Sequence, residues 1–166
     1  MPLFRKKNVA NVSTRAALPP GMANLLRESW WLILVVVLAY LVLVLSTYHQ
    51  ADPGWSHSAT ETLIHNRGGS FGAWVADILL YTFGFSAWWW TVFFLAAILW
   101  GYRRIDRVAV SPRPVVVLAC LGFFLILLSS STFEALRMHS LTAPLPYAPG
   151  GMLGLALGTW MTLSLG

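Results

Sequence analysis

Along the chain, long apolar runs alternate with short polar intervals. Ser29–Thr47, Ile78–Gly101 and Pro114–Phe133 contain no charged residue. Each is close to the roughly 20 residues that a helix needs to cross a hydrocarbon core of about 30 Å. The pattern predicts three membrane-spanning helices, near 29–47, 73–101 and 112–133. A final run, Gly150–Gly166, is also charge-free, but it is shorter and is interrupted by Gly151, Gly154 and Gly158 as well as bounded by glycine. That favours a re-entrant or partial fourth helix over an independent span. The predicted fold is therefore all-α and integral to the membrane: a helical bundle of three clear transmembrane helices plus a short apolar C-terminal segment, 150–166. An odd number of spans leaves the C-terminus outside, and the chain reads as ending just before a further span.

The polar intervals set the orientation. Arg5, Lys6, Lys7, Arg15 and Arg27 precede the first span, and Arg103, Arg104, Arg107 and Arg113 lie in or beside the connection between the second and third. The other two intervals hold one basic residue each, Arg67 and Arg137. Nine against two follows the positive-inside rule with a cytoplasmic N-terminus. Residues 1–22 read as a basic cytoplasmic tail and 23–166 as the membrane domain. Within that domain, 48–72 is a periplasmic loop, 102–111 a cytoplasmic loop and 134–149 a periplasmic connector rich in proline. The net charge of +5 is thus mostly topology, with some attraction to anionic lipid, rather than a nucleic-acid surface.

The interval from Tyr48 to Asp77 carries most of the chain's polar chemistry: three of its four histidines and three of its six acids. Asp52-Pro53-Gly54-Trp55-Ser56 reads as a turn that leaves Trp55 at the interface. Ser58-x-x-Glu61 matches a capping box and predicts a short helix over 59–66, closed by Gly68. Gly68, Gly69 and Gly72 then permit tight turns or close approach of another segment. Asp77, about one turn into the second span, reads as a structural acid at a helix start, with a proton or ion relay as the alternative and Arg67 as the partner. Further on, the Trp88-Trp89-Trp90 triplet covers most of a helix circumference and reads as packing. Ser129–Thr132 can support close helix contact or hydrogen bonds, and Glu134 with Arg137 forms a weak surface pair.

Several chemistries are excluded by what the sequence lacks. The only lysines are Lys6 and Lys7, without the glycines of a phosphate loop, and no nucleophile elbow, His-Glu-x-x-His or paired-cysteine motif occurs. Cys120 is the single cysteine, inside the third span. His49, His57 and His65 recur every eight residues, a weak zinc pattern, so no metal and no cofactor is expected.

Asp52-Pro53-x-Trp55-Ser56, Asn66-x-Gly68-Gly69-x-x-Gly72-Ala73-Trp74-x-Ala76-Asp77, Phe83-Gly84 and Gly150-Gly151-x-x-Gly154 together resemble the N-terminal membrane domain of the FtsK/SpoIIIE family of bacterial cell-division DNA translocases, in its proteobacterial form. The resemblance covers about 25–166. It implies an inner-membrane, multi-pass anchor of four spans with cytoplasmic termini, recruited to the division septum. Its implied partners are the lipid bilayer, other division proteins and further copies of itself, as a hexamer. DNA and ATP would be engaged only through a motor that this sequence does not contain. Trp55, Asn66, Gly68, Gly69, Gly72, Trp74, Asp77, Gly150, Gly151 and Gly154 are the candidate contact or packing residues, none of them catalytic. The alternative from another class is a small transporter or ion-coupling subunit that uses Asp77 and Arg67.

Overall fold

The computed structural model describes residues 20–58, 63–104, 112–138 and 145–165, and among them all regular structure is helical. Helix α1 covers Pro20–Ser46, α2 Gly69–Phe83, α3 Trp89–Arg104, α4 Pro112–Arg137 and α5 Gly151–Leu165. A 3₁₀ segment, Gly84–Trp88, joins α2 directly to α3. Three stretches are long and apolar enough to cross a membrane: Glu28–Ser46, Gly69–Trp100 and Pro114–Arg137. Helix α5, with 15 residues, rises only about 22 Å. The expected cap at Ser58-x-x-Glu61, the arginine connection beyond 104 and the connector around Pro144 lie wholly or partly outside the described residues.

Three boundaries differ from the sequence reading. Residues 63–66, the second half of the expected loop helix, form a bend and irregular chain instead, because the backbone N–H groups of His65 and Asn66 turn to the Asp52 carboxylate rather than to a helical carbonyl. The second span starts at Gly69 and is not one continuous helix: Gly84 interrupts it at φ +63°. Helix α4 continues past the end of its apolar run to Arg137, so that Glu134 is helical and not part of a connector.

The buried core is small and sits between α1 and the broken second span. Val44 and Leu45 of α1 meet Ala76 and Leu80 of α2 and Ala87 of the 3₁₀ segment, with Tyr40, Tyr48, Phe83 and Trp88 packed around them. Small alanines facing branched residues let two helix backbones approach closely. Most other large apolar side chains, such as Leu32, Val36, Leu118 and Leu125, are exposed. In a bilayer that is the expected surface, since lipid tails solvate it as well as another helix would.

The tryptophan triplet divides its work. Trp88 joins the core, Trp89 donates its indole N–H to Ser130 Oγ at 3.0 Å, and Trp90 enters an aromatic cluster linking α3 to α4. In that cluster the Phe93 and Phe123 ring centroids are 4.4 Å apart, and Trp90 meets Phe123 edge-on at 5.0 Å. Such pairs add about 0.5–1.5 kcal/mol each beyond their area.

Candidate functional site

Two polar clusters stand out against this apolar background, and buried carboxylates organise both. The first closes the loop over the end of α1. Asp52 is 2% exposed; its Oδ1 accepts from the His65 N–H at 2.7 Å and the His65 Nδ1 at 3.1 Å, and its Oδ2 from the Asn66 N–H at 2.7 Å. Burial alone raises a carboxyl pKa, but here the two backbone donors and the His65 ring outweigh it and hold Asp52 below its ordinary 3.8. Asn66 passes the constraint on. Its Nδ2 donates to the Val44 carbonyl at 2.9 Å, one of the end-of-helix acceptors that α1 cannot satisfy itself, and its Oδ1 accepts from the Gly68 N–H at 2.8 Å.

Here the glycine pattern has a steric cause. A β-carbon on Gly68 would stand 2.5 Å from Val44 Cγ1, and one on Gly72 would stand 2.8 Å from both that atom and Asn66 Oδ1. Gly69 meets nothing, but its φ of +66° is the left-handed conformation that glycine adopts freely. The start of α2 is therefore seated backbone-first on α1. Phe71 and Trp74 remain on the opposite side, 67% and 44% exposed, with Phe71 stacked 6.4 Å from both Trp74 and Tyr40.

Asp77 lies two turns into α2, not one, and is fully buried. The 54–57 turn folds onto it. Oδ2 accepts from the Ser56 N–H at 2.7 Å, and Oδ1 from Ser56 Oγ at 3.0 Å and the Tyr48 hydroxyl at 3.4 Å. Because the Ser56 proton goes to Asp77, the 2.9 Å contact between Ser56 Oγ and His57 Nδ1 has the ring nitrogen donating. Gly54 is required here, since a β-carbon would meet the Asp77 carboxyl at 2.6 Å. Burial foremost, then the Asp77 charge, pushes the Tyr48 phenol above its ordinary value, so Tyr48 remains a donor. Arg67, the expected partner, is not among these groups. Its backbone N–H instead meets Thr47 Oγ1 at 3.1 Å.

The second cluster lies where the second span breaks. Gly84 at φ +63° and ψ −145° takes a backbone conformation nearly confined to glycine. The break uncovers the N–H groups of Phe85 and Ser86, which donate to the two oxygens of Glu134 at 2.8 and 3.0 Å, while Ser86 Oγ donates to Glu134 at 2.9 Å. Glu134 is 3% exposed. It is a cap supplied by a neighbouring helix, not half of a surface pair with Arg137, because the amides freed by the break need an acceptor. Ser131 Oγ lies 2.9 Å from the Phe83 carbonyl and 3.0 Å from that of Gly150, its one proton shared between them. A β-carbon on Gly84 would stand 2.5 Å from the Gly150 N, one on Gly151 2.6 Å from the Thr82 carbonyl, and β-carbons on Gly150 and Gly154 would collide with the Ser131 carbonyl. Helix α5 is thus fitted against the break and the end of α4 by backbone contact.

The structure therefore draws the candidate residues into two places: Asn66, Gly68, Gly69, Gly72 and Trp74 around the end of α1, and Gly150, Gly151 and Gly154 at the break. Trp55 lies within the 54–57 turn, edge-on to Tyr81 at 5.5 Å, and Asp77 lies beneath it. Beyond the turn expected at Pro53-Gly54, the sequence does not announce the hydrogen-bonding roles of Glu134, Asp52 and Ser56. One signal was available for Glu134: it is the acid on a helix whose preceding turn is Ser-Ser-Ser-Thr, a polar turn at the end of an apolar run. His49, Asp52 and His65 also converge, each offering a ligand atom within 4.8 Å of the others.

The model of the 4TM region of the DNA translocase FtsK/SpoIIIE matches residues 23–166. The chain is 45% identical over 157 residues to DNA translocase FtsK 2 of Ralstonia nicotianae, covering 91% of this chain and 20% of that protein. It is 30% identical over 162 residues to DNA translocase FtsK 1 of Neisseria meningitidis serogroup A, covering 96% and 20%. A third relative, DNA translocase FtsK of Shewanella oneidensis, is 31% identical over 141 residues, covering 85% and 15%. The chain spans at most about a fifth of the length of these curated relatives. No solved structure matches it. Three membrane-length apolar stretches and a match over nearly the whole chain converge: the protein belongs to the FtsK/SpoIIIE family, as its membrane-embedded 4TM region.

Proposed function

We propose that this inner-membrane region anchors a DNA translocase at the division septum, and that it associates with further copies of itself and with other division proteins. The orientation in this reading follows the basic residues: N-terminus cytoplasmic, the 48–72 loop periplasmic. The region carries no catalysis; DNA and ATP belong to a motor elsewhere in such a protein. The observation behind the contact role is the Tyr40–Phe71–Trp74 stack, in which half-buried Tyr40 backs exposed Phe71 and Trp74, seated from beneath by the Gly68–Gly72 contact with Val44. Rigid exposed aromatics favour association because little conformational freedom is lost on contact.

The transporter alternative needs Asp77 to face a wet cavity and to pair with Arg67. Asp77 is instead fully buried, with both oxygens accepting hydrogen bonds from the loop above it.

A fluorescent fusion expressed in dividing bacteria tests the proposal. The expected outcome is a septal band that weakens in a Phe71→Ser, Trp74→Ser double variant whose membrane fraction is unchanged. An even peripheral signal from the unsubstituted fusion overturns the septal reading. A septal band of equal strength in the double variant overturns the role of the aromatic face.

A further inference from the structure

We propose that His49, Asp52 and His65 form a binding site for a divalent transition-metal ion of the zinc type, clamping the chain leaving α1 to the chain entering α2. The histidines are far apart in sequence but converge in space on Asp52, with one ring nitrogen of each and one carboxylate oxygen within 4.8 Å of one another. The imidazole rings of His49 and His65 are in contact, their centroids 4.4 Å apart and their planes tilted by 30°. A tetrahedral ion with bonds of about 2.0–2.2 Å holds neighbouring ligand atoms about 3.3–3.6 Å apart. His65 Nδ1 and Asp52 Oδ1 are already at 3.1 Å, so one edge of such a site is in place, and closure requires movement mainly of the exposed His49.

The chemistry of the set selects the ion. Two imidazoles and one carboxylate suit zinc, cobalt, nickel or copper, whereas calcium and magnesium prefer an all-oxygen set. Asp52 is held ionised in a buried position, with Oδ2 fixed by the Asn66 N–H at 2.7 Å, which is the outer hydrogen bond that orients a ligating carboxylate. The ion takes the place of the proton between His65 Nδ1 and Asp52 Oδ1, and the ring then carries its hydrogen on Nε2. Water completes the fourth position, since two ligands are exposed. His57, the other histidine of the eight-residue series, is excluded. It belongs to the Asp77 cluster, 2.9 Å from Ser56 Oγ.

The test uses the full chain in detergent, freed of any histidine tag, with Zn²⁺ alone as the probe and Mg²⁺ as the control. One equivalent of Zn²⁺ is expected to bind and to raise the melting temperature, reversed by a chelator, with Mg²⁺ inert. His49→Ala, at an exposed position that gives up the 3.3 Å contact of Nδ1 with the Ala51 N–H and the packing on His65, should still fold, with a small change in metal-free melting temperature, and weaken binding about 10-fold or more. Co²⁺ substitution gives a second readout, the intense visible absorption of a low-coordinate cobalt site, absent in His49→Ala and present in His57→Ala. No saturable Zn²⁺ binding overturns the proposal, as does binding that His49→Ala leaves intact or that His57→Ala abolishes.

Discussion

The two polar clusters solve one problem in different surroundings. Around Asp52 and Asp77 the satisfied amides belong to a loop, His65, Asn66 and Ser56, in which His65 and Ser56 are themselves exposed. Around Glu134 they belong to a break inside a long apolar stretch, where few other polar partners are at hand. The same bond is therefore worth more at the second place. In the loop a lost acceptor is partly replaced by solvent; at the break it leaves donors bare.

The difference can be measured, beginning with its largest expected effect. Glu134→Ala removes the acceptor of two amides and a hydroxyl, and should lower stability by about 3–5 kcal/mol in thermal or denaturant unfolding in detergent. Glu134→Gln, which keeps one carbonyl oxygen, should lose less, and a neutral Glu134→Ala would break the comparison. Gly84→Ala comes next, at about 2–4 kcal/mol, because it combines a disallowed backbone angle with a clash against the Gly150 amide. An unchanged melting temperature would mean that the break does not depend on that backbone conformation.

The smallest effect belongs to the loop. Asp52→Asn should cost about 1–2 kcal/mol at pH 7, and it carries a pH signature. The folded-state value of Asp52 is depressed below 3.8, so its stabilisation is present above that pH and is lost as pH falls through the folded value. The gap between wild type and Asp52→Asn should narrow on acidification below about pH 4. A gap independent of pH would show that the charge of Asp52 contributes nothing.

Legibility in the sequence follows the range of each interaction. The three apolar spans are visible because a lipid-facing helix needs only a local run of apolar residues, and the Asn66–Gly72 seat is visible because its glycines crowd together. The break at Gly84 is not, since it sits in a charge-free run with no proline and its cause lies elsewhere. Glu134 looks like the partner of Arg137 three residues on, whereas its real partners are 48 and 49 positions upstream. Charge alone sets Asp77 against Arg67, but an uncharged turn at Ser56 supplies the donors. Spacing alone makes the three histidines an even series, and folding pairs the first with the third.

The Gly84 break also has a consequence in time. Phe85 and Ser86 leave the ribosome 49 and 48 residues before Glu134, a lag of roughly 2–10 s at ordinary rates of synthesis. Throughout that interval the two amides lack the acceptor that Glu134 later supplies, so the half-made second span remains best placed at a hydrated insertion channel. Its release into lipid is expected to await α4, so that the two segments integrate together.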